Sequence, residues 1–274
     1  MNALGLVAEQ QNQNAPKQAS PLIRIGGVAK SFPTPEGGSV TALEAVDLTV
    51  ARGEFVSIVG PSGCGKSTLL YMIGGLVEPS SGSIEVGGSR VVGPDPKVGI
   101  VFQEFRIFPW KTVRSNVMFG LELQGKGNAA ERLAIADRYI EMVGLRGFED
   151  RLPKELSGGM KQRVAIAQTF ACDPDVVLMD EPLGSVDALT REKLQDELLR
   201  IWRDSGKTII VVTHSIEEAI YLGQRVVVMA PRPSRVIATY DVHLDHPRTA
   251  EMRTAPETAH LRNEIWNLVR GGVT

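Results

Sequence analysis

The sequence predicts an α/β fold with buried parallel strands, and three observations support this. Val56-Ser57-Ile58-Val59, Asp175-Val176-Val177-Leu178-Met179 and Thr208-Ile209-Ile210-Val211-Val212-Thr213 are short apolar runs rich in β-branched residues, the profile of buried strands. Each runs into polar residues able to do chemistry, and ligands of parallel α/β sheets collect at that carboxyl edge. A chain of 274 residues suffices for one large α/β domain plus a smaller helical insert.

Taken in order, residues 1–21 are rich in Gln, Asn and Ala and read as a flexible tail. Pro33-Thr34-Pro35-Glu36-Gly37-Gly38-Ser39 is a turn or hairpin loop. The strand Val56–Val59 leads through Gly60 into an apolar helix starting at Lys66. Glu78-Pro79-Ser80-Ser81-Gly82 turns the chain into a strand at Ile84-Glu85-Val86. The dense cluster Phe105, Ile107, Phe108, Pro109 and Trp110 is expected to pack mostly inside a helical subdomain. Leu121 to Phe148 is helical in pattern, and a second helix from Lys161 to Phe170 carries Val164, Ala167 and Ala171 on one stripe. After Asp241, His243 and His246 sit in a Pro-adjacent stretch with no further ligand cluster, which predicts a surface loop rather than a metal site. Ile265 to Val269 is expected to dock a terminal helix.

The chemistry is concentrated in a few segments. Gly60-Pro61-Ser62-Gly63-Cys64-Gly65-Lys66-Ser67-Thr68 satisfies G-x-x-x-x-G-K-[ST]. Its small residues let backbone N–H groups turn inward around phosphates, and the helix start adds its positive end. Lys66 is placed to reach the β- and γ-phosphates and the Ser67 hydroxyl to ligate Mg²⁺. The strand ending at Met179 delivers Asp180, suited to hold hydrated magnesium, and Glu181, suited to accept a proton from water. Pro182 stops that strand. His214 ends the third strand; a structural histidine is the commoner outcome there, but its position beside Asp180 and Glu181 suggests a contact with the γ-phosphate. Ser215 reads as the N-cap of the helix that follows, with Glu217 and Glu218 in its first turn. In Leu156-Ser157-Gly158-Gly159-Met160, Ser157 reads as an N-cap and the glycines permit close backbone approach. Standing alone this is only a helix start. Lying between the other two motifs, it is a second anion-binding helix start that one copy of the chain has no use for, which predicts two copies closing over ATP.

With these segments in this order the chain resembles the ATP-binding subunit of an ABC transporter, over roughly Ile23 to Arg235. The resemblance implies a P-loop NTPase (RecA-like) core with an antiparallel β subdomain and an α-helical signature subdomain. It places the ATPase domain at residues 22–240, the helical part at about 104–172 and a C-terminal extension at 241–274. It implies that Ser157, Gly158 and Gly159 of one subunit cap the γ-phosphate held by the other. Gln103 is then similar to the glutamine that senses magnesium and the attacking water, and Asp187 to the aspartate that communicates across the dimer. Phe32 is similar to the aromatic that stacks on adenine, with an ordinary hydrophobic anchor as the alternative. Part of the region after Gln103 would receive a short helix from a membrane permease.

Phe102-Gln103-Glu104 leading to Phe108-Pro109-Trp110-Lys111-Thr112-Val113, Asp187 to Arg191, Val212 to Ala219 and Pro231-Arg232-Pro233 are similar to importers of the nitrate, sulfonate and taurine class. The chain departs from the usual pattern at Leu183-Gly184-Ser185-Val186, at Gln168-Thr169-Phe170 and at Ser234, where glycine is common. The resemblance implies ATP and Mg²⁺ as cofactors and, as partners, a second copy, permease subunits and indirectly a solute-binding protein. It also implies a peripheral place on the cytoplasmic face of the inner membrane.

Composition narrows the alternatives. Lys and Arg number 30 against 32 Asp and Glu, a net charge of −2, which offers no electrostatic footprint for nucleic acid. An ABC ATPase acting on nucleic acid or ribosomes shares the core, but usually carries large insertions or two nucleotide domains. A monomeric switch or small-molecule kinase leaves Leu156 to Met160 without a role. The two cysteines, Cys64 and Cys172, suggest no disulfide framework, and a thiol inside the glycine loop suits a reducing compartment. No apolar run approaches bilayer-spanning length and no secretory h-region is evident, so the membrane path is expected in another polypeptide.

Overall fold

A computed structural model describes residues 21–271 apart from Ser185. The tail expected over residues 1–21 therefore lies outside the described residues except for its last position, and so does Ser185 of the Leu183–Val186 run. Two sheets make the framework. The first is antiparallel, in the order β2-β1-β4-β5, from β1 (Ile23–Pro33), β2 (Ser39–Val50), β4 (Ser81–Val86) and β5 (Ser89–Arg90). The second runs β10-β9-β3-β8-β7-β6, from β3 (Phe55–Val59), β6 (Val98–Val101), β7 (Val176–Asp180), β8 (Thr208–Val212), β9 (Arg225–Met229) and β10 (Val236–Asp241). Its strands are parallel except for β10, which pairs antiparallel with β9 at the edge.

The expected strands are where they were read. Every residue of β3, β7 and β8 is buried, as a sheet covered on both faces demands. One face carries α1 (Lys66–Ile73), whose Leu69, Leu70 and Ile73 pack between Ile23, Val28 and Leu43 of the antiparallel sheet and Ile58, Leu178 and Ile210 of the parallel one. The opposite face carries α2 (Val113–Leu123), α3 (Ala129–Met142), α4 (Gly158–Ala171) and α5 (Ala188–Ser205), and their core is continuous with Val177 and Met179. The stripe expected on α4 is fully inward, Val164 and Ala167 at 0% exposure and Ala171 at 2%. Ser234 sits buried where β2 meets the segment before β10, its hydroxyl donating to Ala230 O, so the side chain there is accommodated.

One expectation needs correction and two gain detail. Leu121 to Phe148 is mostly helical as expected, in two pieces: α2 begins earlier, at Val113, and α3 starts anew after Asn128, whose side chain and Glu131 form a reciprocal capping box. The aromatic cluster is not core. Trp110 is 72% exposed, Pro109 is exposed, and Phe105, Ile107 and Phe108 are half-buried; Phe108 packs edge-on against Phe119 of α2 at 4.5 Å between centroids. His243 and His246 lie in the loop after β10 as expected; His243 is exposed, while His246 is half-buried, its ring 5.1 Å from that of Trp202 on α5. At the chain's end α6 (Ile216–Leu222), α7 (Ala250–Thr254) and α8 (Pro256–Gly271) close the β9–β10 side. Ile265, at 0% exposure, anchors α8 as expected.

Candidate active site

The glycine loop is shaped by what presses on it. Gly60 follows β3 so tightly that a Cβ there would fall 2.7 Å from Met229 O, and Gly65, with φ of +111°, turns the chain into α1 against Leu43. No side chain caps α1, so its first-turn N–H groups stay open toward the loop, as an anion-binding helix start requires. Ser62 and Gly63 are exposed at the loop's crest; Pro61, Ser67 and Thr68 are half-buried and Cys64 is buried. Lys66 is 5% exposed, and its ammonium donates to Gly60 O at 2.9 Å and Pro61 O at 3.0 Å. These two carbonyls satisfy the buried charge across the mouth of the loop.

Three neighbouring strands supply the rest. Gln103 follows β6, Glu181 follows β7 and His214 follows β8, and these strands lie side by side. Asp180, the last residue of β7, is 1% exposed; its Oδ1 accepts from Ser67 Oγ at 2.9 Å and its Oδ2 from Tyr71 OH at 2.7 Å. A buried carboxylate whose hydrogen-bond partners are both hydroxyls is a costly arrangement that a dication would relieve. The hard oxygens of Asp180 and Ser67 are the donor type Mg²⁺ takes. Burial, then the carboxylate beside it, pushes the Tyr71 hydroxyl well above its usual range, so it stays a donor.

Glu181 has φ of +45°, a left-handed backbone immediately before Pro182, and its N–H donates to Val212 O at 2.8 Å. Such a conformation costs of order 1–3 kcal/mol for a non-glycine residue and persists only where the surroundings impose it. Its Oε2 accepts from Gln103 Nε2 at 3.3 Å and lies 3.2 Å from His214 Nδ1, with the His214 side chain 61% exposed. One carboxylate oxygen is thus aimed by groups from two flanking strands.

The remaining expected residues stand apart. Ser157 caps α4, accepting from Met160 N at 3.3 Å, and Gly159 borders Val186. Among the described residues no hydrogen bond joins Ser157, Gly158 or Gly159 to the glycine loop. Asp187 caps α5 by accepting from Thr190 N at 3.0 Å, which holds its carboxyl below the usual range. Phe32 is not a buried anchor: it is 40% exposed near the end of β1, with the Lys30 ammonium 5.1 Å from its ring centroid.

Sequence reasoning missed three residues. Tyr71 read only as part of an apolar helix, although it lies one turn beyond Ser67 and shares its face. Gln162, on the inner face of α4 at 1% exposure, donates to Phe102 O at 3.4 Å; nothing in its spacing marks it. Glu218 read as a first-turn acid of α6 and is in fact 5% exposed, its carboxyl raised by burial above the usual range. With the folded value above the unfolded one, the folded chain binds the extra proton, so stability falls as pH rises from the unfolded value through the folded one. Glu218→Gln, which cannot ionise, is expected to gain in melting temperature over the parent as pH rises through and above the ordinary carboxylate range. A gap that stays constant across that range would count against the raised carboxyl.

Against this geometry, the sequence profile described as ABC transporter matches residues 43–184. A taurine import ATP-binding protein of Jannaschia sp. (strain CCS1) is 46% identical over 251 residues, covering 90% of this chain and 93% of that protein. A putative ATP-binding protein of Brucella abortus (strain 2308) is 50% identical over 232 residues, covering 85% and 89%. Among solved structures, a dimeric ATP-binding cassette in a post-hydrolysis state with ADP and Pi is 34% identical with a TM-score of 0.74, covering 81% of this chain and all (100%) of that one. A Clostridium perfringens protein, part of an ABC transporter complex, is 26% identical with a TM-score of 0.71, covering 93% and 98%.

Proposed function

The chain belongs to the ABC transporter family, and from that premise we propose that it is the ATP-hydrolysing subunit of an importer, working as a pair of identical chains. Mg·ATP binds between residues 60–68 of one copy and Ser157-Gly158-Gly159 of the other. Lys66 leaves the carbonyls of Gly60 and Pro61 for the β- and γ-phosphates, an exchange of partners rather than a desolvation. When bound, Mg²⁺ offsets negative charge on those phosphates; Ser67 and Asp180 are the residues that would hold it. Glu181 accepts the proton of the attacking water, and Gln103 and His214 keep its Oε2 aimed. Closure of the second copy excludes other water, and hydrolysis lets the pair reopen. Asp187 faces the second copy, and Phe32, exposed near the end of β1, stacks on adenine.

The observation that carries the reading is the Gln103–Glu181–His214 cluster beside the Asp180–Ser67 pair: one carboxylate free to take a proton, one placed for a metal. On this reading, supported by importer relatives, the solute path belongs to separate permease subunits on which this chain sits peripherally, at the cytoplasmic face; among the described residues no helix is long and apolar enough to cross a membrane. Exposed Trp110 beside Phe108 suits the docking of a permease helix. The solute is a small one of the nitrate, sulfonate or taurine type, supported by motif resemblance and by relatives bearing a taurine-import name.

The test is pull-down of the tagged Glu181→Gln chain from its native membranes with Mg·ATP. A co-purifying multi-spanning protein is the expected result, and its gene neighbourhood would identify the solute. Nucleic acid or ribosomes without a membrane protein would overturn the importer reading.

A further inference from the structure

Helix α1 brings two hydroxyls to one carboxylate, and only one of them belongs to the phosphate loop. Ser67 and Tyr71 lie one turn apart on the same helix face, and each donates to a different oxygen of Asp180. The carboxylate torsion is a soft, two-fold rotor when nothing holds it. With Ser67 on Oδ1 alone, Asp180 could turn about that single bond; the Tyr71 hydroxyl on Oδ2 removes the freedom. The phenol itself is pinned from the next strand end. Its ring lies 5.8 Å from that of Phe102, tilted by 44°, and the Arg106 guanidinium is 5.0 Å from the same Phe102 ring. Phe102 directly precedes Gln103, the residue that reaches Glu181. Mg²⁺ demands near-ideal octahedral geometry, so a ligand carboxylate a few degrees out of place binds it less well.

We propose that Tyr71 is a positioning residue for the metal: its hydroxyl orients Asp180, and its ring ties that carboxylate to the Phe102–Gln103 segment. The proposal rests on the reading of Asp180 and Ser67 as metal-holding residues and adds a residue to it. Groups that orient a metal ligand from behind typically contribute 10–100-fold in metal affinity. Tyr71→Phe keeps the ring against Phe102 and removes only the donor.

The experiment is MgCl₂ titration of a fluorescent ATP analogue bound to the full chain, without reference to turnover. For Tyr71→Phe, binding of the analogue without metal should stay within about twofold of the parent, while the Mg²⁺ concentration for half-maximal response should rise about tenfold or more. The same shift is expected with Mn²⁺, read directly by paramagnetic resonance of the free ion. An unchanged half-maximal Mg²⁺ concentration overturns the inference, even if melting shows the variant to be less stable, because that is what a packing role alone would give. Asp180→Asn run alongside separates the two failures. If it too leaves the Mg²⁺ response unchanged, the metal-site reading falls; if it abolishes the response while Tyr71→Phe does not alter it, only the role of Tyr71 falls.

Discussion

Glu181→Gln is expected to lower ATP turnover by about 10²–10⁴-fold, the usual contribution of a positioned acid or base, while leaving nucleotide affinity near that of the parent. The substitution keeps the side chain's size, so the left-handed turn before Pro182 and the approach of Gln103 and His214 are undisturbed. What is lost is the ability to take a proton from water. On the proposed cycle, reopening follows hydrolysis, so the variant should accumulate as an ATP-bound pair, visible as a shift to twice the mass in size exclusion with Mg·ATP. Turnover within about twofold of the parent would remove Glu181 from the mechanism, since no general base is so dispensable.

Gly159→Asp should be equally damaging to turnover for a different reason, and should hardly affect the fold. A Cβ at this position meets the Val186 methyls at 3.5 and 3.6 Å, ordinary contact, and an acid in the first turn of α4 is favoured by the helix dipole. The stability change is therefore expected within about 0.5 kcal/mol. If the start of α4 caps a phosphate bound to another copy, a carboxylate there opposes it and rates fall by about 10²-fold or more, the scale of losing an anion-stabilising group. Nucleotide binding to the separate chain should persist. Mixing with Lys66→Ala chains gives a sharper result. In a mixed pair the loop of the Gly159→Asp chain faces an intact Ser157–Gly159 segment, so one of two sites is whole. With random pairing and independent sites, about a quarter of parental activity returns, as two-fold symmetry dictates. No recovery from mixing, with Gly159→Asp alone fully active, would point to a monomeric enzyme.

Most of what positions the site was legible because it is local. The strands β3, β7 and β8 announce themselves by unbroken β-branched runs, and the residue after each strand is then known to stand at the ligand edge. Ser157, Asp187 and Ser215 all cap helices, and two of them were readable as caps from residue type alone. Contacts between distant segments were not legible. The Tyr71–Asp180 bond joins positions 109 apart, and nothing in an apolar helix says which side chain will meet a carboxylate from another strand. The exposure of the aromatic run after Gln103 is illegible in the sequence for a related reason. Hydrophobic residues pack inside only if something covers them, and Trp110 has nothing above it among the described residues. Glu218 was read by its place in a helix turn, whereas its burial depends on how α6 is packed, which no local pattern reveals.

Asp180 is the last paired residue of β7, and Glu181 stands one step beyond the ladder. Met179 pairs with Val211 and Asp180 with Val212, and successive residues of a strand point to opposite sides. A slip of one residue one way would bring Glu181 to Ser67 with Pro182 in the place of the second acid, and the other way would leave Met179 facing Ser67. The division of labour proposed for them therefore depends on the pairing of the strands. Glu181's left-handed backbone and Pro182 stop the strand directly after Asp180. A designer moving this Asp-Glu pair to another scaffold would have to carry the stop along with the acids.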